Sequence, residues 1–238
     1  MIKALALILL STSTYALIGG VVAQDNDYPS QVRFADICSG TLVAKKYIVT
    51  AAHCFYDAKG TRIRDLKVRK KIKVRSYHLN KSKRVRIKKI TIHHEYAKHI
   101  KEGKNRVLAT KYSHDIAVLE ISPIRGVPSP KISFHKIADG TELTMTGSGC
   151  TTKKKRGPFK YGSVTSTNTT INTRGNNILS TSSPTTRACL GDSGGAIYEG
   201  QTIIGINTAF VETSNNEYNL HLRMSEVEQW LRDLIKEI

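Results

Sequence analysis

The sequence predicts an all-β fold, a barrel or a sandwich, that closes on one C-terminal α-helix. Three observations carry that prediction. Short segments that are rich in β-branched residues, or that alternate apolar with polar, recur from residue 17 to about 225: KYIVTAA, LKVRKKIKVRSYHL, RVRIKKITIHH, IAVLEI, ELTMTG and TIIGINTAF. Clusters of Gly, Pro, Asn, Asp or Ser punctuate several of them, with no helical pattern between, so strands are left to pair with strands. Only the end of the chain, SEVEQWLRDLIKEI, has helical spacing.

Taken in order, the first element is an export signal. Residues 1–16, MIKALALILLSTSTYA, carry Lys3, then the apolar run ALALILL, then Thr14 and Ala16 as a small-residue cleavage pattern. The run is too short to span a bilayer, and no other stretch approaches that length, so no membrane span is expected. The chain is read as secreted and extracellular, or periplasmic. The strand-rich remainder is divided by SPIRGVPSPK, residues 122–131, into halves at 17–122 and 123–238. In the terminal helix, Ser225 and Glu228 have capping-box spacing, and Val227, Trp230, Leu231, Leu234 and Ile235 form an apolar stripe expected to pack on the second half.

The chain of 238 residues is long enough for one large β domain or two small ones. Its formal net charge of +18 predicts attraction to polyanions or anionic surfaces and carries no information on fold. Export gives the four cysteines meaning, because disulfides persist in oxidising compartments. Four cysteines allow three pairings. A metal site is disfavoured, because neither CxxC nor HxxxH spacing occurs.

Residues 187–198, RACLGDSGGAIY, set Asp192 and Ser193 among three glycines directly after a cysteine. The stretch reads either as a tight surface turn or as a nucleophile whose neighbouring Gly191 and Ser193 amides face a developing oxyanion. A base is available at His53, in TAAHC at the end of an apolar strand. A carboxylate is available at Asp115, in SHDIAVLEI. Each alone has an ordinary structural explanation.

In order and context, TAAHC, HDIAVLEI and CLGDSGG, ahead of a helix containing Trp, closely resemble the chymotrypsin/trypsin-like serine proteases. LIGGVVAQDNDYPSQV, CSGTLVAKKYIVTAAHC and TGSGC extend the resemblance over essentially the whole chain after residue 16. It implies two antiparallel six-stranded β-barrels with a C-terminal α-helix, and a site in the cleft between them. It also implies a secreted endopeptidase without cofactor or metal, monomeric, acting on protein or peptide substrates. His53 becomes the general base, Asp115 its orienting carboxylate and Ser193 the nucleophile, with the Gly191 and Ser193 amides as oxyanion hole. Asp192 would pair with a new α-amino group at Leu17, where the family usually has Ile. Because the signal occupies all residues before Leu17, its removal is expected to release that amine with no zymogen stage. Cys38 with Cys54 matches the family's bridge beneath the histidine, which leaves Cys150 with Cys189.

The same resemblance places Arg187 at the base of the primary substrate pocket, with Thr208, Phe210, Asn219 and His221 on its walls. A cation at the base disfavours Lys or Arg substrates, and Phe210 stands where glycine usually opens the pocket. Acidic and small side chains both remain open. Basic residues concentrate at 67–89 and in Lys153, Lys154, Lys155 and Arg156, read either as solvated faces or as sites for anionic polymers or surfaces. No nucleic-acid motif accompanies them, so no specific nucleic acid is expected. The rival reading is a catalytically idle homologue that binds anionic partners through this surface.

Overall fold

The computed structural model describes residues 17–103, 114–149, 157–167, 178–214 and 216–238. Residues 1–16, expected to be an export signal, Cys150 and the basic run Lys153–Arg156 lie outside the described residues. In chain order the elements begin with β1 (Val21–Val22), β2 (Gln31–Phe34), β3 (Cys38–Val43), β4 (Tyr47–Thr50), β5 (Lys71–Ser76) and β6 (Lys81–Ile92). Helix α1 (His94–Lys101) and β7 (Ala117–Ile121) follow. Next come β8 (Lys131–Ile132), β9 (Glu142–Gly147), β10 (Lys160–Thr167), β11 (Ile178–Ser182), β12 (Ala196–Glu199), β13 (Thr202–Glu212), β14 (Glu217–Arg223) and α2 (Glu228–Leu234).

Two six-stranded antiparallel barrels result. The first closes in the order β2-β3-β4-β7-β6-β5. The second runs β9-β10-β11-β14-β13-β12 and closes where β12 and β10 both pair with β9, with β1 added to β10 and β8 parallel to β13. Closure removes the exposed sheet edges that an open sheet of this length would carry.

The alternation of side chains explains why YIVT and IAVLEI read as continuous apolar runs. On β4 and β7, Ile48, Leu119 and Ile121 point into the first barrel's core. The alternate residues Val49 and Val118 join Ile116 in a second cluster with Ala196, Tyr198, Ile206 and Leu222 of the second barrel. Both faces of these strands are therefore buried, one inside its barrel and one between the barrels.

Three local expectations are corrected. LKVRKKIKVRSYHL forms strand only at Lys71–Ser76, because Arg69 takes a left-handed φ of 73° and ends the extended run. RVRIKKITIHH is strand through Ile92, within β6, and only its last two residues depart: His93 accepts a hydrogen bond from the Glu95 amide and starts α1, whose Tyr96 is buried in the first core. At the C-terminus, a 3-10 turn at Met224–Glu226 delays the helix, so Val227 caps it and no capping box forms. The Ser225 hydroxyl donates to Glu226 instead. The stripe of Val227, Leu231 and Ile235 packs in the cluster shared by both barrels and not on the second barrel alone. Trp230 lies 5.0 Å from the His93 ring, and Lys46 pairs with Glu237 at 3.3 Å, so the terminal segment straps the barrels together. Among the described residues no helix is long and apolar enough to cross a membrane.

Candidate active site

Sheet register brings the base and its carboxylate together. Thr50 of β4 pairs with Ala117 of β7, so the residues just beyond β4 meet those just before β7. His53 lies in the 3-10 turn Ala52–Phe55, and Asp115 precedes β7. The His53 amide donates to Asp115 Oδ1 at 2.8 Å, and His53 Nδ1 meets Oδ2 at 2.6 Å. Asp115 is fully buried, while 12% of the His53 side chain is exposed. A carboxylate acceptor on Nδ1 places the neutral ring's proton there and leaves Nε2 free to accept one. The Cys38–Cys54 disulfide ties the start of β3 to this turn. Its sulfurs stand near His53 but are bonded to each other, so they offer no thiolate for a metal.

The nucleophile candidate arrives from the second barrel on a tight turn. Asp192 donates from its amide to the Cys189 carbonyl at 3.0 Å, and Gly195 donates to the Asp192 carbonyl at 2.9 Å. Gly191 takes φ 98°, and a Cβ there would lie 2.9 Å from Gly149 Cα. Gly194 takes φ 79°, and a Cβ there would collide with Thr50 Oγ1 and the Ser39 carbonyl. Both positions therefore require glycine. The turn docks on the first barrel, because the Ser39 amide donates to the Ser193 carbonyl at 3.0 Å. Ser193 thus abuts the ends of β3 and β4, close in sequence to His53. Neither the Gly191 nor the Ser193 amide donates to an acceptor among the described residues.

Asp192 points away from the cleft. Its carboxylate is fully buried and accepts from the Gly149 amide at 2.6 Å, the Cys189 amide at 2.8 Å and the Leu17 amide. Burial pushes its pKa up to about 6, against the pull of these donors and of Arg33. Leu17 is itself completely buried, beside Met145, Leu179 and Ile197. Ile18 and Arg187 exchange backbone hydrogen bonds at 3.0 and 3.1 Å, so the N-terminal segment is stitched to a residue that lines the neighbouring cavity. Cys189 is disulfide-bonded, and its expected partner Cys150 lies outside the described residues.

A cavity of about 420 Å³ opens beside Ser193, lined by Arg187, Leu190, Thr208, Phe210 and Glu212 among others. Phe210 walls this space without filling it. The Arg187 guanidinium meets Glu217 at 2.5 Å and lies 5.1 Å over the Phe210 ring. The Thr208 hydroxyl donates to the Leu220 carbonyl at 3.1 Å, which ties it to β14. Asn219 accepts from the Ala188 amide at 2.7 Å and donates to the Thr186 carbonyl at 3.2 Å, fixing the pocket wall.

Sequence reasoning missed Asn207, Glu212 and Glu217. Asn207 Nδ2 donates to the Thr146 carbonyl at 2.8 Å and the Asp192 carbonyl at 3.2 Å. Its Oδ1 faces His221 Nδ1 at 2.9 Å, and His221 Nε2 faces the Thr181 hydroxyl at 2.8 Å. This buried chain braces the Ser193 turn from below. Desolvation drives the His221 pKa down to about 3, so the ring is neutral. A polar Asn207 inside TIIGINTAF was the available signal. The glutamates sit opposite each other across β13 and β14, a pairing visible only once register is known.

Known proteins match this architecture. A structure of neuropsin, a serine protease expressed in the limbic system of mouse brain, superposes with a TM-score of 0.70 at 16% identity, covering 91% of this chain and 98% of that one. A trypsin from Phaedon cochleariae is 26% identical over 243 aligned positions, 91% of this chain and 87% of the beetle protein. Coagulation factor IX from Cavia porcellus is 30% identical over 115 positions, 47% of this chain and 35% of its own length. The family model Trypsin matches residues 17–231, and with both barrels present across that span, the chain belongs to the trypsin family of serine proteases.

Proposed function

We propose that the chain is an exported serine endopeptidase that cleaves through an acyl-enzyme formed on Ser193. His53 takes the hydroxyl proton as Ser193 attacks the scissile carbonyl, and later returns it to the leaving amine. Asp115 holds the ring and stabilises the imidazolium. The Gly191 and Ser193 amides bind the oxyanion, where losing one donor costs about 3 kcal/mol of barrier. Cleavage after Ala16 would convert the buried Leu17 amide into an ammonium facing Asp192. The observation that carries this reading is the doubly bonded His53–Asp115 pair, set where the glycine-rich turn of Ser193 docks on the same strands.

The test is covalent labelling of the chain beginning at Leu17. A fluorophosphonate probe is expected to label it and to lose labelling in Ser193→Ala. Equal labelling of that variant overturns the assignment.

A further inference from the structure

Residues 66–94 contain no Asp or Glu, and twelve of them are Lys or Arg. The β5–β6 ribbon resolves that composition into geometry. Ile72, Val74, Val85 and Ile87 point into the first barrel. The alternate face carries Lys71, Lys73 and Arg75 on β5, and Arg84, Arg86 and Lys88 on β6. Register sets Lys71 directly opposite Arg86, and Lys73 directly opposite Arg84. Like charges facing each other across a ladder destabilise a sheet. No ion pair with an acidic residue relieves them among the described residues. The fold thus holds two rows of unneutralised cations side by side on an exposed surface.

We propose that this outer face of the β5–β6 ribbon is a docking track for a linear sulfated polysaccharide. Same-face residues recur about every 7 Å along a strand, and neighbouring strands lie about 4.8 Å apart, so a flexible chain bearing anions at short intervals meets a cation at each step. The planar forks of Arg84 and Arg86 suit sulfate oxygens. The outward positions hold no aromatic ring on which a base of single-stranded nucleic acid could stack, and duplex DNA is left as the competing polyanion that the experiment tests. The nearby Tyr77 is already stacked on Phe159 at 5.1 Å and covered by Arg75. The outward strand positions also hold no apolar side chain to enter a membrane. Charge density without stacking or insertion groups selects the polysaccharide.

The experiment uses the Ser193→Ala chain beginning at Leu17, so that neither readout depends on hydrolysis. Heparin octasaccharide binding is measured by calorimetry at several salt concentrations, beside duplex DNA and phosphatidylserine vesicles. The ribbon variant Lys71→Gln, Lys73→Gln, Arg84→Gln, Arg86→Gln is compared with an equal-charge control, Lys45→Gln, Lys98→Gln, Arg125→Gln, Lys136→Gln. The parent is expected to bind the octasaccharide more tightly than either alternative, with affinity falling as salt rises. The ribbon variant should lose roughly tenfold or more, and the control less than about threefold. Without ligand, the ribbon variant should melt at or above the parent, because the opposed charges are gone. Equal losses in both variants, tighter binding to DNA or vesicles, or a lowered melting temperature in the ribbon variant would each overturn the proposal.

Discussion

The Arg187 guanidinium stands 2.5 Å from the Glu217 carboxylate, so this cation, which lines the cavity beside Ser193, is already paired. A bare charge about 4 Å from a Lys or Arg substrate side chain would repel it by roughly 4 kcal/mol at an effective dielectric near 20. Pairing removes much of that penalty, and Glu212 adds a carboxylate to the same cavity. Both partners are over one-third exposed, at 36% and 46%, so solvent screens what remains. Glu217→Gln is expected to lower cleavage after Lys or Arg relative to other residues by roughly tenfold, and Arg187→Ala to raise it by a similar factor. Specificity constants on peptides differing only before the cut measure both. A ratio unchanged in both variants would show that the Arg187 charge does not reach the substrate.

Asp192 predicts a dependence on the exact N-terminus. With Leu17 as an amide, the buried carboxylate has only hydrogen-bond donors and the Arg33 charge to support it, and its pKa stands at about 6. A Leu17 ammonium would favour the ionised form and lower that pKa. Breaking a buried charge pair costs about 3–5 kcal/mol, so a chain extended by one residue before Leu17 should lose roughly a hundredfold or more in kcat/KM. Asp192→Asn should cost as much. Full activity in the extended chain would separate catalysis from this pairing.

Acid should destabilise the second barrel through His221. The unfolded imidazole titrates near 6.5, whereas the folded one, buried and facing the Arg223 charge, titrates at about 3. Between those values the unfolded state binds a proton that the folded state refuses. Stability is therefore complete above the unfolded value and falls as pH drops through the window, by up to about 1.4 kcal/mol per pH unit. His93, with a pKa pushed down to about 3 by burial and then by His114 and His94, acts in the same direction. Urea midpoints from pH 7 to pH 4 should fall less steeply in His221→Gln than in the parent. Parallel curves would assign the acid sensitivity elsewhere.

Much of the fold was legible because β-branched alternation and punctuating turns are local signals. ELTMTG matches β9, and IAVLEI lies over β7 with one residue to spare. The misread segments are those where tertiary contacts overrode local pattern. Tyr96 draws HHEYAKHIK into a helix because its ring fills the first core. Val227 takes the cap position of α2 because its side chain is claimed by the interbarrel cluster.

The candidate site divides along the same line. Short motifs, through their resemblance to a family, point to His53, Asp115, Gly191, Asp192 and Ser193 as candidates, because each proposed role needs a particular functional group or a backbone that only glycine permits. Partners cannot be read that way. Glu217 reaches Arg187 across thirty residues, and Asn207 reaches Asp192 and His221 from a neighbouring strand. These contacts exist only after register and barrel closure bring distant backbone positions together. Composition likewise announced a basic chain, but only the pairing of β5 with β6 set Lys71 against Arg86 and made a line of charge out of a run of letters. Local sequence chooses which groups are present; strand register, set by burying one face of each strand, decides which of them meet.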